Sequence, residues 1–280
     1  MKRVRRHQGH FSYKNELIAY SFWSNTDDNQ EPDVVLLLGA GQTDAIARMV
    51  AERAGTGVVV VEGVPHWHAD PSAEDIEDFT KLYFESAYQK VASIFSSASM
   101  HVLAESQAAP AAIVLSSKLK GVGNLGLIRP LGFSVQAFGS TTEARLKTFR
   151  KRILQSLLQY PQSFLYDPRN LWVGAVITRA MLREASFASL SKKYAAGISY
   201  DSLQDFQHTA QVRHKAGNTI SLILGEKDKM FPPEEITTAL SSLHIPHVSI
   251  VILPSVSHSS LATRGSHKVL AAALKAVRNK

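Results

Sequence analysis

Two uninterrupted apolar runs, Val34-Val35-Leu36-Leu37-Leu38 and Val58-Val59-Val60-Val61, frame a segment of helix length, and that arrangement leaves the chain few folds. A strand with one wet face alternates apolar and polar residues. A strand apolar at every position has both faces covered, as in a parallel sheet between two layers of helices. Pro32 and Gly39 bound the first run. Between the runs, Thr43 to Ala54 carries Ile46, Met49, Val50 and Arg53 at helical spacings, and Gly55-Thr56-Gly57 stops it. Strand, helix, strand in this length is a βαβ unit, whose two strands lie parallel.

The same rhythm continues. Ser72-Ala73-Glu74-Asp75 reads as a helix N-cap followed by first-turn acids. The helix it opens, to about Ser97, puts Ile76, Phe79, Leu82, Tyr83, Ala87, Val91 and Phe95 on one broad face. Met100 to Glu105 is the next strand, an alanine-rich helix follows to about Lys120, and Asn124 to Ile128 is a short strand closed by Arg129-Pro130-Leu131-Gly132. Strand signals then stop. Residues 141–160, 167–185, 189–195 and 202–213 read as helices. Strand character returns at Asn218 to Leu224 and at His247 to Leu253, separated by a helix at Glu234 to Leu243. Gly265 to Arg278 closes the chain as an amphipathic helix whose basic end suits the helix dipole. Residues 11–22 read as one or two edge strands, from partial alternation. The reading is an α/β chain: a mostly parallel sheet flanked by helices, formed by 1–132 and 216–280, interrupted by a helical block at 133–215. A length of 280 residues is ample for one domain with an insertion.

Composition removes several function classes. With no cysteine there is no disulfide, no thiolate nucleophile and no Cys-ligated zinc. No apolar run approaches the roughly 20 residues that span a bilayer. The basic start, Met1 to His10, is followed by a polar, mixed segment rather than a signal-peptide apolar region, so a cytoplasmic protein is expected. Net charge is +7, from 31 Lys and Arg against 24 Asp and Glu, but no nucleic-acid-binding motif accompanies it, and nucleic acid is not an expected partner. Arg145, Lys147, Arg150, Lys151 and Arg152 oppose an apolar stripe. They read as a solvated helix face, or as a surface that attracts an anionic substrate or a membrane surface. His66, His68 and Asp70 lack a matching ligand group elsewhere, so neither a metal nor a cofactor is expected. That loop, with Trp67, lines a pocket mouth or lies on the surface.

The chemistry-bearing residues fall in one place. Ser106, Asp228 and His258 each sit just past the C-terminal end of a predicted strand. Ligands of open parallel sheets bind outside those strand ends, so the three would share one rim. A serine hydroxyl is a poor nucleophile until a base takes its proton, and the base works best when a carboxylate orients it. The order Ser, acid, His is one of the known orders for such triads. The small residues Ala104 and Ala108 flank Ser106, as a sharp strand-to-helix turn requires. Taken singly, Ser106 also reads as an N-cap, Asp228 as a turn residue and His258 as a surface-loop histidine. Their joint placement favours chemistry.

At this point the chain resembles the α/β-hydrolase family, from about Asp33 to Ala276. Leu36-Leu37-Leu38-Gly39-Ala40-Gly41 is similar to the family's strand and oxyanion loop, usually His-Gly-x-Gly, with Leu38 where histidine is usual. Ala104-Glu105-Ser106-Gln107-Ala108 is similar to the nucleophile elbow, usually Gly-x-Ser-x-Gly, with alanine at both glycine positions. Leu224 to Pro232 resembles the acid turn, Leu253 to Ser259 the histidine loop, and 133–215 sits where the family inserts a helical cap. The resemblance implies that Ser106 attacks an acyl carbonyl, that His258 acts as base and then acid, and that Asp228 orients His258. The backbone N–H groups of Ala40 and Gln107 would form the oxyanion hole. Gly41, Trp67 and Glu105 are expected at the substrate pocket, although Glu105 also reads as half of an internal ion pair.

The activity so implied is a serine hydrolase that cleaves an ester, thioester or related acyl bond of a small or lipophilic substrate through an acyl-enzyme. The same residues also serve C–C bond hydrolysis and acyl transfer. A non-catalytic binding or receptor protein on the same scaffold is the alternative of a different class.

Overall fold

The computed structural model describes residues 4–25, 31–39, 42–64, 73–95, 99–158, 201–243, 245, 247–258, 261–263 and 266–279. Its strands are β1 (Arg5–Tyr13), β2 (Glu16–Asn25), β3 (Val34–Leu37), β4 (Val58–Val61), β5 (Met100–Glu105), β6 (Val122–Ile128), β7 (Ile220–Gly225) and β8 (Val248–Leu253). They form one eight-stranded sheet in the order β1-β2-β4-β3-β5-β6-β7-β8. β1 and β2 pair antiparallel, as do β2 and β4, and every later pairing is parallel. The described helices are α1 (Asp44–Ala54), α2 (Ala73–Phe95), α3 (Ala108–Lys118), α4 (Val135–Phe138), α5 (Thr142–Leu158), α6 (Leu203–Lys215), α7 (Pro233–Ser241) and α8 (His267–Arg278).

The continuous apolar runs are buried on both faces, as their composition requires. All residues of β3 and β4 have no exposed surface. Alternate side chains enter opposite cores: Val35 and Leu37 pack on the side of α2 and α3, and Val34 and Leu36 on the side of α1 and α8. Each such valine or leucine contributes roughly 1.5–3 kcal/mol on leaving water. The edge of the sheet is longer than the alternation at 11–22 implied. β1 reaches back to Arg5, and Lys14 and Asn15 turn the hairpin with positive φ, as tight two-residue hairpin turns require. Arg5 and Arg6 are therefore part of an edge strand, where charge discourages further strand pairing.

The helical block at 133–215 is described at its two ends. The helices expected at 167–185 and 189–195 lie outside the described residues. At its far end, α6 lies against α3, among the helices that flank the sheet. Thr209 Oγ1 donates to the Ile113 carbonyl at 3.0 Å, and the Arg213 guanidinium donates to the Val122 carbonyl. At its near end, Arg152 of α5 stacks over Phe138 and donates to the Met230 carbonyl at 2.9 Å, just beyond β7. Among the described residues, no helix is long and apolar enough to cross a membrane.

Candidate active site

β5 ends at Glu105 and α3 begins at Ala108, so Ser106 and Gln107 make the entire connection. Ser106 takes φ +52°, the left-handed region that costs a residue with a Cβ roughly 1–2 kcal/mol. Hydrogen bonds over-determine the turn. The Ser106 N–H donates to the Ile128 carbonyl at 2.9 Å, and its carbonyl accepts from Ala109 and Leu131 at 3.1 Å each. Ala104 and Ala108 are fully buried, and neither has positive φ. The turn asks of them only small size, which alanine meets. Gly39 comes in opposite: a Cβ there would lie 3.2 Å from the Ser106 Cβ.

The acid and the histidine stand on two turns laced together past β7 and β8. The Glu226 N–H donates to the Leu253 carbonyl at 3.0 Å and the Lys227 N–H to the Val256 carbonyl at 2.8 Å. The Glu226 carboxylate accepts from the Ser255 N–H at 2.8 Å. Asp228 is buried and fully engaged. Its Oδ1 accepts from the N–H groups of Met230 and Phe231 at 2.8 and 2.9 Å, and its Oδ2 lies 2.8 Å from His258 Nδ1. His258 Nε2 in turn lies 3.4 Å from Ser106 Oγ, at the long end of hydrogen bonding. The Phe231 ring meets the imidazole edge-on at 5.1 Å between centroids.

Burial alone would push the Asp228 carboxyl up, but the charge and hydrogen bond of His258, the Phe231 N–H and the charge of Arg129 outweigh it and hold the group below its ordinary value. It is therefore ionised at neutral pH and only accepts hydrogen bonds. That places the imidazole proton on Nδ1 and leaves Nε2 free to accept from the serine hydroxyl.

Glu105 adopts the second of its two readings. It is 2% exposed, and its Oε1 accepts from the Arg129 guanidinium while its Oε2 accepts from the Gln42 amide. Arg129 itself escaped notice in the sequence, where it stood only as the residue closing β6. Its position at the same rim as Ser106 was the available signal. Gln107 follows Ser106 with helical φ and ψ, opening α3. Ala40, Gly41, Trp67, His66, His68 and Asp70 lie outside the described residues. Among the described residues, no three His, Asp or Glu side chains gather closely enough to hold a metal ion.

Solved structures align over nearly all of the chain. A 2-hydroxy-6-oxo-6-phenylhexa-2,4-dienoate hydrolase from Rhodococcus sp. strain RHA1 matches with a TM-score of 0.62 at 16% identity, covering 98% of this chain and 99% of its own. An α/β-hydrolase enzyme from a Medee basin deep-sea metagenome library matches with 0.62 at 14% identity, over 97% and 98%. The chain has the α/β-hydrolase fold. Naproxen esterase from Bacillus subtilis is a third match with that fold, at a TM-score of 0.55 and 12% identity, over 96% of this chain and 91% of the esterase. No family model matches the sequence, and no curated protein does. In the α/β-hydrolase fold seen here, Ser106, Asp228 and His258 occupy neighbouring turns at the C-terminal ends of β5, β7 and β8, the rim where ligands of parallel sheets bind.

Proposed function

We propose that this protein is a serine hydrolase that cleaves an ester, thioester or related acyl bond of a small or lipophilic molecule. What supports this most is the unbroken line of contacts from Asp228 Oδ2 to His258 Nδ1, 2.8 Å, and from His258 Nε2 to Ser106 Oγ, 3.4 Å. Along that line a proton leaves Ser106 Oγ for Nε2 as the oxygen attacks the acyl carbonyl. The imidazolium that forms faces an ionised carboxylate, which stabilises it. His258 then returns the proton to the leaving group, and the acyl-enzyme remains on Ser106. Water repeats the sequence: His258 takes its proton, the hydroxide oxygen adds to the acyl carbon, and Ser106 Oγ leaves with the proton.

The carbonyl oxygen gains negative charge at each addition. The N–H groups of Gln107 and Ala40 are the proposed donors to it, each worth about 10²–10³ in kcat by analogy with comparable sites. The cap expected within 133–215 is proposed to cover the acyl group with its part that precedes α6, since α6 packs on α3. Steady-state turnover of p-nitrophenyl esters graded by chain length and charge tests the reading. Wild type should hydrolyse part of the series, and Ser106→Ala should lose at least about 10³-fold in kcat. Folded wild type that turns over no ester of the series contradicts the proposal and favours a binding protein on the same scaffold.

A further inference from the structure

Arg129 is among the largest side chains with almost no exposed surface, at 1%. It follows β6 with φ +47°, a strained conformation for a residue with a Cβ. Its N–H donates to the Ile223 carbonyl of β7, the strand that leads to Asp228, at 2.9 Å. One arm of its guanidinium donates to the Ser257 carbonyl at 2.9 Å, and the other to Glu105. Glu105 precedes Ser106, and Ser257 precedes His258. The second oxygen of Glu105 accepts from Gln42, whose own carbonyl accepts from the Gly63 N–H at 2.8 Å at the end of β4.

We infer that Arg129 is a positioning residue: its buried guanidinium, clamped by Glu105, fixes the loop bearing His258 against the turn bearing Ser106. The inference rests on the reading of those two residues as base and nucleophile. The energetics separate this role from packing. Burying a guanidinium and a carboxylate costs several kcal/mol of hydration per ion, and an apolar pair of the same volume is often equally or more stabilising. Stability alone therefore gives no reason for ions here, at a residue already strained. An apolar pair would lack a directed bond to the Ser257 carbonyl. That carbonyl lies beyond the end of β8, where the strand ladder no longer fixes the chain. The planar fork of arginine holds two acceptors in a set geometry, which a single lysine ammonium does not. Its charge also helps hold the Asp228 carboxyl down, so the same group supports the orienting acid.

The test removes both charges together. Arg129→Met alone strands Glu105 in the interior and can unfold the chain. Glu105→Gln with Arg129→Met removes both ions of the pair, so neither is left buried without its partner, and the glutamine still accepts from Gln42. This double variant should melt close to wild type and keep KM within about twofold, while kcat falls by about 10²-fold, as for reacting groups displaced by about 1 Å. The low-field NMR line of the proton between His258 and Asp228 should broaden or shift. Arg129→Lys should give an intermediate kcat.

A folded double variant with wild-type kcat and an unchanged NMR line overturns the inference, as does a loss that falls wholly in KM. If the double variant does not fold, Arg129→Lys decides, and unchanged kcat in that variant overturns it. Wild type that reacts with no ester defeats the reading of the site instead. The NMR line needs no substrate and still tests the positioning role.

Discussion

A Cβ placed on Gly225 would lie 2.6 Å from the carbonyl oxygen of Val256. The contact is to backbone, so a side chain at 225 has no flexible neighbour to displace, and the turn bearing Asp228 must move from the loop bearing His258. Gly225→Ala should therefore destabilise the protein by about 1–3 kcal/mol. It should also lower kcat by more than that loss of stability explains at temperatures where the variant is folded. Thermal melts and kcat on the same preparation check both effects. Wild-type kcat in a folded Gly225→Ala protein would mean that the two turns tolerate separation.

Asp228→Asn separates structure from chemistry. The side-chain oxygen still accepts from the Met230 and Phe231 N–H groups, which span 2.8–2.9 Å in the native turn. The amide nitrogen then faces His258 Nδ1 and cannot accept its proton, so the imidazole is driven to the wrong tautomer. The variant should melt near wild type and lose about 10³–10⁴ in kcat, as the corresponding change does in other triads. A folded Asp228→Asn protein that keeps its activity would place the orienting acid elsewhere.

How far the fold was legible in the sequence follows from what each residue's signal depends on. Val34 to Leu38 and Val58 to Val61 announce two-sided burial by local composition alone, and the βαβ unit follows from their spacing. Ser106, Asp228 and His258 were legible because each marks the end of a strand, and strand ends in a parallel sheet converge. The first half of β1 was not, because Arg5 to His10 is polar on both faces and edge strands need little apolar surface. α6 was visible as a helix, but only contacts such as that of Thr209 with the Ile113 carbonyl show that it lies against α3. The Glu105–Arg129 pair was half visible: Glu105 suggested a partner, yet nothing local selects Arg129, since the two meet only when β5 and β6 are paired.

Glu62 predicts the pH dependence of stability. It follows β4, and its Oε1 accepts from the Ser21 N–H at 2.6 Å. Burial pushes its carboxyl up to about 7, with Asp44 adding to the rise and the Ser21 N–H and Arg6 opposing it. The folded state thus holds this proton more tightly than the unfolded state does. The stability linked to it is complete below the unfolded value, near 4.5, and is lost as pH rises through about 7. Glu62→Gln keeps an acceptor for Ser21 and removes the titration. It should be more stable than wild type at pH 8, by up to roughly 3 kcal/mol, with a much smaller difference near pH 4. Urea unfolding of both proteins across that range checks the slope. Equal slopes would show that Glu62 titrates alike in the folded and unfolded states.

The most direct measurement is to treat the folded protein with a fluorophosphonate and locate the adduct by peptide mass. The proposed mechanism predicts one phosphonylated residue, Ser106, with no adduct in Ser106→Ala and a much slower reaction in His258→Ala. Folded wild type that stays unmodified, or that carries the adduct on another residue, would contradict Ser106 as the nucleophile.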